Sequence, residues 1–281
     1  MPELPEVEVI RQGIAPLITN RTIETIDILH PRCVRRHVTG LADFEAVSVG
    51  QTFTGAARRG KYLWLPTERG DALVTHLGMS GQFRWGQFDE LPRNTRAILS
   101  FTDTAEQLLF VDQRTFGGLH WSTGGAALPG EVAHIARDPF DPEFDVEAVA
   151  ARIHAKKTVV KRALLDQSVV SGIGNIYADE SLWRVKVNGE EPTQSLSIRK
   201  ICELLRASQD VMAESLEQGG TSFDELYINV NGESGYFARS LNVYGREDQP
   251  CPRCGTPIRR IPFAGRSSHF CPRCQRLRVS A

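Results

Sequence analysis

Apolar residues near the start of the chain recur every three to four positions. Val7, Ile10, Ile14 and Leu17 fall on one face, the period of an amphipathic helix. Pro5 suits its first turn, and Glu6 lies where negative charge favours the helix dipole. From Thr22 to about Trp121 the pattern changes. Short runs rich in β-branched, leucine and aromatic residues (Thr22–Leu29, Lys61–Leu65, Ala72–Leu77, Ala97–Phe101 and Gln107–Val111) are punctuated by Gly, Asp and Pro. This predicts an antiparallel β-sandwich or barrel. A Pro-, Asp- and Gly-rich stretch around Pro129–Glu143 reads as a hinge, and beyond it the helical period returns at Val146, Val149, Ala150 and Ile153. Ser171–Glu180 makes a glycine turn entering a helix. A further helix over Ser197–Glu217 turns Ile201, Leu204, Leu205, Val211, Met212 and Leu216 inward and stops at Gly219-Gly220. The Gly172-x-Gly174-Asn175 turn lacks the full dinucleotide fingerprint. It better suits a helix start that aims N–H groups at a phosphate. Gly219–Phe237 is polar and turn-rich, either a connector or a lid.

Composition adds limits. A chain of 281 residues suggests two domains, with room for a small appendage. At 41% hydrophobic and 24% charged residues it has ample material for cores. Nothing approaches 18 consecutive apolar residues, so no membrane span is expected. The start carries acids, with no basic n-region or apolar h-region. A secretory signal is therefore not expected and the cytoplasm is the default location.

The net charge of −1 gives no hint of a polyanionic partner, but its distribution is lopsided. From Pro250 to Ala281 there are seven arginines and no Asp or Glu. The same stretch holds four of the six cysteines, as Cys251-Pro-Arg-Cys254 and Cys271-Pro-Arg-Cys274 with 16 residues between the pairs. That spacing lets two tight turns each present two thiolates to one tetrahedral ion, a structural zinc site. Disulfides are the other reading, disfavoured where thiols stay reduced. Cys33 and Cys202 read as buried apolar residues.

The opening residues Met1-Pro2-Glu3 carry a different possibility. A Met before Pro is normally trimmed, leaving a secondary amine at Pro2 beside the Glu3 carboxylate. A chain-terminal amine has an ordinary pKa of about 7.7–8.0. Near pH 7 it can attack an aldehyde-like carbon and form an iminium. Three glycine-bearing segments, Arg58–Tyr62, His76–Gly81 and Asp112–Gly118, set basic or large apolar side chains where a ligand could approach closely. Each is equally compatible with an ordinary β-turn.

Taken together, Pro2-Glu3-Leu4-Pro5-Glu6, the internal Lys61, the Gly174-Asn175 turn and the four-cysteine finger closely resemble the formamidopyrimidine-DNA glycosylases. These are bacterial enzymes of the helix–two-turn–helix superfamily that remove oxidised purines from DNA. The likeness covers nearly the whole chain, with the motifs in the family's order. It implies an α+β multidomain fold: an N-terminal antiparallel β-sandwich with its N-terminal helix (2–130), a hinge (131–143), a helix–two-turn–helix domain with a lesion-covering loop (144–237) and a C-terminal four-cysteine zinc finger (241–278). It implies one structural Zn2+ on Cys251, Cys254, Cys271 and Cys274, and a monomer acting on damaged double-stranded DNA.

The resemblance also implies roles. Pro2 attacks C1′ of the damaged nucleotide, and Glu3 handles protons at the sugar. Lys61 serves β-elimination and phosphate contact, while Arg266 stabilises the leaving phosphate electrostatically. Met79, Arg114 and Phe116 fill the gap left by an extruded nucleotide, since a base inside the duplex is out of reach. Lys157, Lys161, Asn175 and Tyr177 match positions near the DNA backbone. Where many members carry a DNA-contacting His, this chain reads Arg93-Asn94-Thr95-Arg96, so Asn94 or Arg96 takes over as donor. Asp224 and Glu225 in the lesion loop also depart from the pattern. With no overall basic charge, binding depends on a local basic channel, and affinity should fall with salt at a log–log slope of about −0.9 per phosphate. Two other readings stand beside this one. An endonuclease-eight-type glycosylase for oxidised pyrimidines usually has Gly where this chain has Leu4. A non-catalytic zinc-finger damage binder would need none of Pro2, Glu3 and Lys61.

Overall fold

The structure is a computed structural model that describes residues 2–221 and 237–277. Met1, most of the expected lesion loop with Asp224 and Glu225, and Arg278 at the end of the finger lie outside the described residues. The chain divides into two compact units. One is Met1–His134 with Gln218–Tyr236, and the other is Ile135–Glu217 with Phe237–Ala281.

The first unit begins with helix α1, Leu4–Ile18, which buries Leu4, Val7, Ile10, Ile14 and Ile18. Its stripe packs on two four-stranded antiparallel sheets. One runs in the order β1 (Ile23–Ile28), β6 (Thr95–Phe101), β7 (Thr104–Asp112), β5 (Gly81–Gly86). The other runs β2 (Ala57–Arg59), β3 (Tyr62–Pro66), β4 (Ala72–His76), β8 (Gly118–Ser122). Inward residues of both sheets, among them Ile26, Leu63, Leu73, Leu99, Phe110 and Leu119, join the α1 stripe in one apolar core. The predicted sandwich with its N-terminal helix is therefore present.

Besides a 3-10 turn at Pro31–Val34, two elements differ from what was expected between Thr22 and Trp121. Leu41–Ser48 is a helix, α2, which turns Phe44 and Ser48 inward one turn apart. Its Ser48 Oγ accepts the Trp121 indole N–H at 2.7 Å, so a polar residue in its stripe hid the periodicity. Strand β8 begins at Gly118, inside the segment expected to be loop, and pairs with β4 from Gly118↔His76 to Ser122↔Ala72.

The second unit is helical: α3 (Val146–Ala155), α4 (Val160–Leu165), α5 (Asn175–Arg184) and α6 (Ile198–Glu217). Asp145 caps α3 by accepting the Ala148 N–H at 2.9 Å. The link from α4 to α5 is stitched by one side chain. The Gln167 amide donates to the Leu165 and Ile173 carbonyls at 3.1 and 3.0 Å, and its oxygen accepts the Gly172 N–H at 2.9 Å. Gly172 sits there at φ +87°, a conformation that favours glycine. The chain ends in a hairpin, β9 (Arg259–Phe263) with β10 (Arg266–Phe270), flanked by the two cysteine pairs. Among the described residues no helix is long and apolar enough to cross a membrane.

Candidate active site and nucleic-acid interface

At the N-terminus, Pro2 and Glu3 are buried, and Glu3 is the extended N-cap of α1 (φ −104°, ψ −168°). Glu3 and Glu6 form a capping box, in which Glu6 Oε2 accepts the Glu3 N–H at 2.8 Å. The second oxygen of Glu6 accepts both the N–H and the hydroxyl of Thr221, at 2.9 and 2.8 Å. One buried carboxylate thus fixes the segment that carries Pro2-Glu3 and the residue that enters the 222–236 segment. Sequence reasoning gave Glu6 only a dipole role. Its second partner is 215 residues away, with no local signal.

Two residues further on, Glu8 receives Arg11 at 2.6 Å and Arg58 at 2.9 Å. Burial works to raise its pKa, but the two guanidinium partners outweigh it and hold the carboxyl below its usual value. Arg58 also donates to the Gly60 carbonyl at 3.1 Å. Gly60 and Lys61 are the two loop residues of the β2–β3 hairpin, whose closing pair is Arg59↔Tyr62. Gly60 stands at φ +55°, as the first position of a primed turn requires. Lys61 is thereby placed by a chain of contacts running back to α1, with 9% of its surface exposed. His76, beside the Tyr62 ring at 4.9 Å, is kept neutral: burial, then the charges of Arg36, Lys61 and Arg35, push its pKa down to about 4.

The structure brings Met79, Arg114 and Phe116 together on two interlocked loops. Met79 and Phe116 are 42% and 47% exposed, and the Arg114 guanidinium lies 3.6 Å from the Met79 sulfur. Large apolar side chains held out in water suggest a use other than core packing. Underneath them is Asp112, fully buried. It accepts the Ser80 hydroxyl at 2.6 Å and the Gly117 N–H at 2.8 Å, while Ser80 Oγ accepts the Arg114 N–H at 2.9 Å. Arg35 clamps the far side by donating to the Phe116 and Gly117 carbonyls at 2.9 and 2.8 Å. Asn94 stands at φ +71° in the same support. Its side-chain oxygen accepts from Arg96 at 3.2 Å, and Arg96 donates to the Asp112 carbonyl at 2.8 Å. Neither Asp112, Ser80 nor Arg35 was singled out from sequence. Buried carboxylates that accept backbone N–H groups leave no periodic trace.

In the second unit, Lys157, Arg162 and Arg266 are exposed around a cleft of about 520 Å³ that Lys156, Asp166 and Phe263 also line. Arg266 opens β10 directly after a turn in which Ala264 and Gly265 both have positive φ, +45° and +74°. Asn175, the first residue of α5, donates its amide N–H to the Ser267 carbonyl at 2.9 Å.

Two of the residues matched to positions near the DNA backbone turn their side chains inward. Lys161 is 0% exposed, lies 2.6 Å from Asp179, donates to the Ser267 carbonyl at 3.1 Å and sits 5.0 Å from the Phe263 ring centroid. Tyr177 is also 0% exposed and shares a 2.6 Å hydrogen bond with Ser215. Both polar ends are satisfied inside the protein, so they hold the helical unit together. The step of about 100° between neighbours on α4 turns Lys161 inward and leaves Arg162 exposed.

The four finger sulfurs lie within 4.8 Å of one another, with Cys254 Sγ 3.4 Å from Cys271 Sγ and 3.5 Å from Cys274 Sγ. A tetrahedral zinc with Zn–S bonds of about 2.3 Å needs sulfurs about 3.8 Å apart, and no pair is closed as a disulfide. The donor set and spacing fit one structural zinc with no open coordination position.

The comparisons with known proteins agree along the length of the chain. Residues 1–119 match the family model described as the formamidopyrimidine-DNA glycosylase N-terminal domain, 135–225 match that family's H2TH domain, and 248–277 match a zinc finger found in FPG and IleRS. The formamidopyrimidine-DNA glycosylase of Salinispora arenicola is 56% identical over 277 residues, covering 98% of this chain and 96% of that protein. That of Thermobifida fusca is 53% identical, covering 98% and 97%. A variant of Lactococcus lactis FPG, solved with a Fapy-dG containing DNA, has a TM-score of 0.86 at 31% identity, covering 98% of this chain and all of that one. The FPG protein of Thermus thermophilus gives 0.84 at 34% identity, covering 99% and 100%. With this identity over nearly its full length, the chain belongs to the formamidopyrimidine-DNA glycosylase family.

Proposed function

We propose that the chain is a bifunctional DNA glycosylase and abasic-site lyase that excises oxidised purines, 8-oxoguanine and formamidopyrimidines, from duplex DNA. With Met1 removed, Pro2 offers a secondary amine. Its nitrogen bonds to C1′ of the lesion nucleotide, the bond from C1′ to the base breaks, and the base leaves with the electron pair and a proton. The Pro2 N–H proton is lost as the iminium forms, while Glu3 moves protons at the sugar as the ring opens. The iminium acidifies C2′. Loss of a C2′ proton expels the 3′ phosphate, loss of a C4′ proton then expels the 5′ phosphate, and water releases the amine. Lys61 serves the first elimination, and Arg266 stabilises the departing phosphate as a permanent cation.

The observation that carries this reading is the anchoring of Pro2-Glu3. A frayed terminus would be a poor nucleophile, but this one is buried and fixed at a helix start by Glu6, as a positioned amine must be. Exposed Met79 and Phe116 supply the wedge that base extrusion calls for. Exposed Lys157, Arg162 and Arg266, with Asn175 nearby in the same unit, supply donors for phosphates. Four cysteines hold zinc in the finger, where it keeps the Arg266 hairpin in shape and takes no part in the chemistry. Thiols kept for a metal fit a reducing compartment, and we place the enzyme in the bacterial cytoplasm, acting as a monomer on DNA.

Borohydride trapping tests the mechanism. Protein incubated with an 8-oxoguanine duplex and reductant should become cross-linked, with the adduct mapped to Pro2. Extending or acetylating the N-terminus should abolish it. A Pro2→Gly protein is expected to keep some yield, since glycine also offers a terminal amine. An adduct on an internal lysine, or full yield from the blocked terminus, would overturn the assignment. Faster excision of thymine glycol than of 8-oxoguanine would shift the substrate class to oxidised pyrimidines.

A further inference from the structure

We propose that Trp183 is a positioning residue of the zinc centre: its indole N–H holds the Cys251 thiolate and ties metal retention to helix α5. Trp183 lies in the last turn of α5, 9% exposed, and its Nε1 is 3.4 Å from Cys251 Sγ. Cys251 is itself 2% exposed. An indole N–H is only ever a donor, and here its partner is a sulfur that carries negative charge once metal is bound. Such charge-assisted hydrogen bonds are stronger than neutral ones.

The ring has little freedom to leave. The guanidinium of Arg253, from the same Cys251–Cys254 turn, sits 4.0 Å over the indole centroid and donates to the Trp183 carbonyl at 3.0 Å. The turn that supplies two ligands thus grips the tryptophan that supports one of them.

The rest of α5 extends the coupling. Asp179 accepts the His269 N–H at 2.8 Å and the Ser268 hydroxyl at 3.1 Å. Glu180 accepts the backbone N–H groups of Asn242, Val243 and Tyr244 at 2.8–3.0 Å. Asn175, at the other end, donates to Ser267. Successive turns of one helix therefore hold the hairpin, the segment leading into the finger and the first cysteine turn. A partner that orients a metal ligand typically costs ten- to a hundredfold in metal affinity when removed. On this account Trp183 is such a partner, and zinc and α5 stabilise each other.

The test compares the Trp183→Phe full-length protein with the parent. Zinc transfer to excess chelator should be on the order of tenfold faster in the variant. In the cobalt-substituted proteins, the thiolate-to-metal charge-transfer band should move to longer wavelength. A thiolate that has lost its donor gives up an electron more easily, while the visible bands of tetrahedral cobalt keep their pattern. Faster zinc loss with an unmoved charge-transfer band would reduce Trp183 to core packing and overturn the proposal, as would unchanged release. The parent protein gives a second reading that needs no variant. Loaded with a spin-half cadmium isotope, it should show scalar coupling across the hydrogen bond between the metal and one indole proton of the four tryptophans. Absence of that coupling overturns the proposal regardless of how the variant folds.

Discussion

At the scale of single residues, Asp112 does more for the candidate interface than any of the side chains it supports. Its two oxygens hold Ser80 and the Gly117 backbone, and so fix the roots of both loops that carry Met79, Arg114 and Phe116. Asp112→Asn replaces one acceptor with a donor facing a donor. Leaving such a buried group without its partner costs roughly 1–3 kcal/mol. We expect the unfolding free energy from urea titration to fall by that amount, and a slower extrusion step, followed with a fluorescent base analogue beside the lesion. Trapping on a preformed abasic site should change much less, because that step depends on Pro2. Equal loss in both assays would argue that Asp112 acts on the whole unit and not on the wedge. The two loop segments stood out in the sequence, but the bonds by which Asp112 ties them together did not.

At the scale of elements, the two loops interlock so closely that their glycines are dictated. Gly78 stands at φ +63°, and a Cβ there would lie 2.5 Å from Gly117 N and 2.6 Å from Phe116 C. Gly78→Ala therefore meets both a left-handed backbone and a clash with another backbone. It should lower stability by roughly 2 kcal/mol or more, with Phe116 displaced and lesion binding weakened in a titration. Unchanged binding and melting would mean the loops separate more easily than their packing implies. Helix α5 makes the complementary point. It is buried from Asn175 to Trp183 although it carries Asn, Asp, Glu and Ser. The finger covers its polar side and pairs Asn175, Asp179 and Glu180, so no apolar stripe advertised that burial.

At the scale of the whole molecule, a net charge of −1 conceals a charged cleft with Lys157, Arg162 and Arg266 exposed around it. The finger belongs to the same compact unit as the helices and shares its buried contacts with α5. Removing the metal is therefore expected to loosen more than the finger. Under a strong chelator, hydrogen exchange should rise in α5 and the β9–β10 hairpin, while the sheets of the first unit keep their protection and DNA affinity falls. Exchange confined to the cysteine turns would show that α5 stands without the finger.

Sequence by itself determined the features whose chemistry is local. The cysteine spacing set a zinc site, because two tight turns suffice to present four thiolates. The stripe from Val7 to Leu17 set a packed first helix, and the runs between Thr22 and Trp121 set an antiparallel sandwich or barrel. Pro2-Glu3 set a candidate nucleophile, because a terminal amine beside a carboxylate is a local chemical feature, although only the fold could show that it is held in place. Tertiary structure alone decided which polar groups turn inward. Lys161 and Arg162 are neighbours of similar character, yet one is buried against Asp179 and the other faces solvent. Lys161 also reaches Ser267, 106 residues away. Glu6 likewise ties the helix start to Thr221, 215 residues away. A charge can be buried only where a distant partner compensates it, and a partner that distant has no signature in the local pattern.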